Sequence, residues 1–552
     1  METDNILEQV DTPGPFIPDP TTQPPSYPVS SKTSGMARAA ALIAAGNVSS
    51  RVLGLAREIV IANLFGATGL VSAFRAAQII PTMLYDLLIG GMVNSALVPV
   101  FSEQAEDDRA ELWHLVSLVL SLAVIVLGGV VVIMEFAAPQ VAVLLVGGFD
   151  DHLLAATARL MRITTPAVLF ISLAGIITGL LYALKRFALP AFTAAIFNAT
   201  LVVVALVGAL GFGWGIDTLA VGLLLGAFFQ VALQLPGLRD VRLRFVIDLR
   251  HPGLRRIGKL YLPVILGLVI SEIAIAIDRN LASRTGEHSI AWMQYATTII
   301  QFPLGLVSTA ISFAILPTLS RLAAANAARA ALDEFMDTLV AGMRLVLVLI
   351  IPATVALFIL AGPIVALIFE HGQFTFEDTQ QTALALRLYL IGLTFAAIDL
   401  PLVFAFYARQ NTLTPALVGL LGVFFYLVAA LLPTLLRPLQ MTDLVLANSV
   451  QLTGHALVML WLINQLAPLR GRGLGPTTFK ALAASALMGL ALLAGLWFWP
   501  RWLPQEGLIG KATLVGLLSL IGGGIYFLLL AWLKTPELAR LSSLWRRFLP
   551  GR

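Results

Sequence analysis

"LYALKRFALPAF" (181–192) and "FYARQNTLTPAL" (406–417) match at an offset of 225 residues, sharing Tyr, Ala, Pro and Ala at equivalent places. The register extends outward from there. Arg162 and Arg387 are also 225 apart, "ALVPVFSEQA" (96–105) resembles "AILPTLSRLA" (314–323), and Pro81 and Pro303 lie in matching apolar segments. The chain therefore reads as two copies of one unit. Each copy holds six apolar segments, so both start on the same side of the membrane: these are parallel repeats, related by an axis along the membrane normal, with a cavity expected between them.

The membrane itself follows from composition. Of 552 residues, 58% are hydrophobic and 12% charged, against roughly 25% charged in soluble domains. Mean hydropathy is +0.90. The apolar runs reach roughly 20 residues, the length that spans a bilayer. Backbone groups in lipid must be satisfied within the segment, which selects helices. The expected fold is an all-α polytopic membrane protein of about fourteen transmembrane helices: two pseudo-symmetric six-helix lobes around a central cavity, plus two C-terminal helices. The expected division is a disordered cytoplasmic tail (1–35, rich in Pro, without the apolar core of a signal peptide), an N-terminal lobe (36–250), a C-terminal lobe (251–470), helices 13 and 14 (471–534) and a basic amphipathic tail (535–552).

Loop charges set the orientation. Lys185, Arg186, Arg239, Arg242, Arg244, Arg250, Arg255, Arg321, Arg329, Arg470 and Arg472 fall on one side, against Arg284, Arg437, Arg501 and Lys511 on the other. The positive-inside rule then puts both termini in the cytoplasm.

The polar residues inside the spans carry the functional reading, because such groups face a bundle interior or a wet cavity. In the first span Arg51 and Glu58, seven residues apart, share a helical face, and Arg57 lies on another. One reading is an internal Arg–Glu ion pair; the other is anion binding, since guanidinium suits bidentate contact with phosphate. In the second span Arg75, Gln78, Thr82 and Asp86 form a polar stripe expected to line a water-filled cavity. In the seventh, Glu272 and Asp278 are candidates for carrying protons or binding a cation. In the eighth, Gln294, Thr297, Thr298 and Gln301 make a neutral hydrogen-bonding face suited to a sugar or a peptide.

With no cysteine, disulfides, thiol catalysis and thiolate metal sites are excluded. The six His residues have no ligand spacing, and there is no Walker motif, Gly-rich nucleotide loop or HExxH. No metal, cofactor or nucleic acid is expected. A secondary-type transporter rather than an enzyme or ATPase is the economical class.

Several stretches together resemble the MurJ (MviN) family of lipid II flippases, in the MOP exporter superfamily: "SSRVLGLAREIVIANLFGA", "SAFRAAQIIPTMLYDLLIGGMVNSALVPVFSE" (72–103), "QFPLGLVSTAISFAILPTLSR" (301–321), "FEHGQFTFEDTQQTALALRLYLIGL" (369–393) and "FYARQNTLTP" (406–415). The resemblance covers residues from about 36 to 470. It implies two lobes that rock around a cavity, a lipid-tail groove at helices 13 and 14, an undecaprenyl-diphosphate-linked disaccharide-pentapeptide as substrate, and cell-wall synthesis proteins as possible partners. It further implies that Arg51 and Arg57 meet the lipid diphosphate. The sequence departs from the family pattern at Ser72 and in the Gly90–Gly91 pair, where an acidic residue is usual, at Tyr85 and Asp86, where basic residues are usual, and at Thr298, near which an arginine is usual, and 423–433 lacks the Asn and Asp of sodium-binding members. Arg75 is the replacement positive charge on the second helix. The alternatives are a flippase for another polyprenyl-diphosphate-linked oligosaccharide, a transport-inactive scaffold in cell-wall synthesis, and a drug exporter of the same superfamily, which Arg51 and Arg57 argue against.

Overall fold

The computed structural model describes residues 30–324, 329–498 and 507–538. The predicted tails at 1–29 and 539–552 lie outside the described residues. Those residues form helices and connections, with no strand. We number the long helices α1 (Ser30–Phe65), α2 (Gly69–Asp107), α3 (Arg109–Val146), α4 (Asp151–Ala183), α5 (Thr193–Phe212), α6 (Asp217–Leu238), α7 (Pro252–Ser283), α8 (Ser289–Ala324), α9 (Arg329–Ile359), α10 (Phe376–Ala408), α11 (Leu413–Leu435), α12 (Met441–Leu466), α13 (Leu474–Phe498) and α14 (Gly507–Trp532). Twelve of them are long and apolar enough to cross a membrane, and α7, bent by 55° between Leu262 and Gly267, is the thirteenth if its halves are taken together. The remaining one, α1, carries Arg51, Arg57 and Glu58. The expected all-helical architecture is present.

The repeat is visible in the bonding. Asp150 caps α4 by accepting from the Leu153 N–H, and Thr375 caps α10 by accepting from the Asp378 N–H, 225 residues later. Arg162 Nε donates to the Glu135 carbonyl at 3.0 Å, and Arg387 Nε to the Phe358 carbonyl at 3.3 Å. At the ends of α4 and α10 the N–H of Arg186 reaches the Leu181 carbonyl (2.7 Å) and that of Asn411 the Phe406 carbonyl (3.0 Å). These 6→1 closures need a left-handed residue just before, and Lys185 (φ 60°) and Gln410 (φ 58°) supply it. The first closure is braced further: Arg186 forks onto Asp240 at 2.6 and 2.7 Å, which holds that carboxyl below its ordinary range.

The bundle has a basic end, where α4–α5, α6–α7, α10–α11 and α12–α13 connect, and an opposite end. At the opposite end the lobes are joined. The Gln373 N–H donates to the Asn63 carbonyl (2.9 Å), Tyr295 Oη to the Gly66 carbonyl (2.9 Å), and the Ala291 N–H to Ser72 Oγ (3.2 Å). His288 Nδ1 lies 2.7 Å from the Ala67 carbonyl oxygen. Gly66 closes α1 at φ 64°, and a Cβ there would lie 2.6 Å from the Gln373 carbonyl oxygen, so both its backbone and its neighbour require glycine. Tyr295 is buried between Phe369 and Phe374, with ring centroids at 4.9 and 5.4 Å.

Helix α7 departs from the symmetry. Its counterpart α1 packs on α5 within its own lobe. By contrast, α7 runs parallel along α3 of the first lobe: His251 Nε2 is 2.9 Å from Glu111 at one end, and Asn280 Nδ2 donates to the Leu144 carbonyl (2.8 Å) at the other. Arg256 also pairs with Glu103 of α2 at 2.7 Å. Helices α13 and α14 pack on α9, where Tyr526 Oη donates to the Val348 carbonyl (2.6 Å) in a core with Leu492, Leu518 and Leu530. Arg344 of α9 pairs with the buried Glu537 just after α14, and Lys511 pairs with Glu370 at 2.9 Å at the other end.

Candidate functional site

Between α1 and α8 lies a cavity of about 710 Å³. Antiparallel packing gives it two walls: Asn47, Arg51, Gly54, Arg57 and Glu58 on α1, and Gln294, Thr298, Gln301, Gly305 and Thr309 on α8. Val48, Leu306 and Phe313 also line it and are exposed, so a polar interior has an apolar lip facing outward.

Of the residues singled out from sequence, Arg51, Arg57, Gln294, Thr298 and Gln301 come together here. Arg51 Nη1 reaches the Gln301 carbonyl at 3.4 Å. The expected pairing of Arg51 with Glu58 is not what forms. Glu58 instead pairs with its neighbour Arg57 (Nη2–Oε1 2.6 Å) and with Arg75 of α2, leaving Arg51 without a carboxylate partner among the described residues. Helical spacing favoured Arg51, but the carboxylate points into the lobe, where Arg75 and Asn198 wait. Asn198 Oδ1 accepts from Arg57 Nη1 at 3.0 Å.

Arg75 and Gln78 do not line the cavity, which corrects the expectation of one wet stripe along α2. Arg75 is only 2% exposed, clamped to Glu58 with its guanidinium carbon 5.8 Å from the Phe74 ring centre and 5.9 Å from that of Tyr295. The regular α-helix breaks at Gln78, and wide turns at Asp86–Gly90 and Val93–Leu97 each insert an extra residue per turn. The wide turns rotate the residues after Asp86 off the face predicted by 3.6 periodicity. Thr82 Oγ1 turns back on the Ile79 carbonyl at 2.8 Å, and Tyr261 of α7 caps the Leu87 carbonyl.

Asp278 lies in a second, smaller chamber of about 160 Å³ within the C-terminal half, with Arg279, Met293, Thr297, Tyr389 and Asn448. It accepts a 2.6 Å hydrogen bond from Tyr426 Oη. Arg279 Nη2 reaches Gln294 Oε1 at 3.5 Å, linking this chamber to the cavity wall. Glu272 is buried in α7 and lines neither space. Sequence reasoning missed His455–Asp399 (2.8 Å), which joins α12 to α10 inside the second lobe. Their separation of 56 residues has no local signal. It also missed Asn198. No group of three or more His, Cys, Asp or Glu able to hold a metal occurs among the described residues.

The comparisons with known proteins agree with the geometry. The family model described as "Lipid II flippase MurJ" matches residues 61–513. The chain belongs to the lipid II flippase MurJ family. The lipid II flippase MurJ of Burkholderia cenocepacia is 31% identical over 395 residues, 69% of this chain and 75% of that protein. The probable lipid II flippase MurJ of Vibrio cholerae is 33% identical, over 69% of this chain and 74% of its own. A solved structure of lipid II flippase MurJ in an inward closed conformation matches with a TM-score of 0.74 at 23% identity, covering 88% of this chain and 97% of that one. An inward-facing multidrug resistance MATE transporter of the MOP superfamily matches with a TM-score of 0.63 at 15% identity, over 76% of this chain and 95% of its own. The fold is thus the MOP-type fold of MurJ proteins, with the guanidiniums of this MurJ family member gathered on the first lobe's wall and a neutral wall opposite.

Proposed function

We propose that this protein flips lipid II across the bacterial inner membrane by alternating access, with its basic end in the cytoplasm. The supporting observation is the cavity: Arg51 and Arg57 stand in a polar interior whose lip is apolar and open between α1 and α8. A lipid with a diphosphate, a sugar–peptide head and a long polyprenyl tail needs all three features. The diphosphate takes the guanidiniums, whose planar forks suit phosphate oxygens. The sugar and peptide take Gln294, Thr298 and Gln301, and the tail stays outside past Val48, Leu306 and Phe313, along α13 and α14.

The bonds at the opposite end close the lobes there, so this state receives substrate from the basic side. A substrate drives the rocking of the lobes only if it binds the two states unequally, and the arginines on one lobe facing a neutral wall on the other provide that difference. A secondary-type cycle is reset by the membrane potential or by an ion at Asp278, whose chamber touches the cavity through Arg279 and Gln294.

A second reading, a flippase for another polyprenyl-diphosphate-linked oligosaccharide, is favoured by one feature. Thr298 stands where the family resemblance led us to expect arginine, so the α8 wall has no charge with which to hold an anionic group.

Complementation tests the first reading. A bacterium depleted of its own MurJ is given the native chain, Arg51→Ala or Arg57→Ala at matched membrane levels. Growth with the native chain and lysis with both variants is the expected result. A native chain that reaches the membrane and does not rescue, where a close relative does, rejects lipid II in favour of the second reading.

A further inference from the structure

We infer that Arg75 is a positioning residue that takes over the Glu58 carboxylate when Arg57 turns to a diphosphate in the cavity. The inference rests on the reading of Arg57 as a diphosphate ligand. Glu58 is shared between two guanidiniums that differ in reach. Its Oε1 is held by Arg57 Nε (3.1 Å) and Nη2 (2.6 Å), and its Oε2 by Arg75 Nη2. The Arg57 side chain is 24% exposed and borders the cavity, whereas that of Arg75 is 1% exposed and does not. Arg57 can therefore meet a ligand and Arg75 cannot.

Glu58 itself is 1% exposed. If Arg57 let go and nothing replaced it, a buried carboxylate would lose most of its compensation, which is costly. Arg75 has the replacement ready. Its Nε and Nη1 are buried with no hydrogen-bond partner among the described residues. A small rotation of either group turns the single Arg75–Glu58 contact into a two-pronged one, the strong form of this pairing. The exchange also balances charge: Arg51, Arg57 and Arg75 against Glu58 leave two positive charges, which match the two negative charges of a diphosphate diester. Arg75 thus lowers the cost of releasing Arg57 without touching the ligand.

Purified full-length protein in lipid nanodiscs, titrated with farnesyl-diphosphate-linked N-acetylglucosamine, a diphosphate diester, as the probe, tests this. Arg75→Met leaves Glu58 clamped to Arg57 alone, and binding is expected to weaken at least about tenfold. Adding Glu58→Gln removes the charge that clamps Arg57, and the Arg75→Met/Glu58→Gln pair is expected to return to within about threefold of native. A merely structural Arg75 predicts the opposite: the double variant binds no better than Arg75→Met. That outcome, or native affinity in Arg75→Met, overturns the inference. If Arg75→Met does not fold, Arg75→Lys keeps the buried charge but offers no fork. An intermediate loss of affinity supports the exchange and native affinity overturns it. Arg57→Ala separates the two levels. If it binds like the native protein, the diphosphate reading itself has failed; if it loses binding while Arg75→Met does not, only the role of Arg75 has failed.

Discussion

The guanidinium of Arg51 lies against Gly305, so closely that a Cβ on that glycine would fall 2.0 Å from Nη1. Gly305 sits in the wide turn Leu304–Ser308 of α8, and the same turn sends Ser308 Oγ to the Ala397 carbonyl of α10. A cation on the first lobe's cavity wall is therefore seated on the backbone of the second. Gly305→Ala is expected to push Arg51 aside and cut flipping at least about tenfold at normal membrane levels, since displacing one charge-assisted contact costs about 1.5–3 kcal/mol. Gly129→Ala, on α3 with nothing within 4 Å of the added methyl, is expected to flip normally. Lipid II translocation in proteoliposomes compares them.

Glu58→Gln alone is expected to destabilise the fold by about 3–5 kcal/mol, because it leaves Arg75 buried without its counter-charge. Thermal unfolding of the detergent-solubilised protein reads this as a drop of several degrees. An unchanged midpoint would mean that the Glu58–Arg75 pair does not form.

The seal at the opposite end depends on Tyr295, whose hydroxyl meets Gly66. Tyr295→Phe is expected to loosen it and let the lobes part on that side. The chain has no cysteine, so a single Gly54→Cys on the cavity wall reports cleanly; its Cβ would meet only Asn198 Nδ2, at 3.6 Å. A membrane-impermeant maleimide is expected to label Gly54→Cys from the basic side alone in an otherwise native chain, and from both sides once Tyr295→Phe is added.

Lys185 and Gln410 hold left-handed backbone at equivalent turns, at a cost to a side-chain-bearing residue of roughly 1–2 kcal/mol. Lys185→Gly and Gln410→Gly are each expected to stabilise the protein by about 1 kcal/mol, measured by thermal unfolding in detergent. Near-equal gains are expected, because the closures they serve are the same.

What the sequence revealed and what it hid divide along physical lines. Arg162 and Arg387 were legible as a pair because each braces a backbone carbonyl of the long helix before its own, so the same position recurs with the same task. The spans were legible because lipid imposes a long apolar run wherever a helix crosses. Glu58 misled: the face it shares with Arg51 is correct, yet its partners are the adjacent Arg57, whose long stem curls back, and Arg75, which arrives from another helix. The stripe from Arg75 to Asp86 failed at its first member, because Arg75 meets the Glu58 carboxylate of another helix instead of water, and a partner from another helix leaves no mark in hydropathy. His455 and Asp399 meet only when α10 and α12 pack. The bend of α7 falls between Leu262 and Gly267, where the sequence carries Pro263 and Gly267, a signal the reading of the seventh span did not use.

The two halves agree in the caps of α4 and α10, the braces of Arg162 and Arg387 and the turns at Lys185 and Gln410, while their interiors hold different charges. Guanidiniums gathered on one carboxylate fill the first half, whereas Asp278, Arg279 and the His455–Asp399 pair fill the second. A duplicated frame leaves each copy's inner chemistry free to change without disturbing the outline that lets the copies move together. Charge inside one half can then change while the fit between the halves stays as it was.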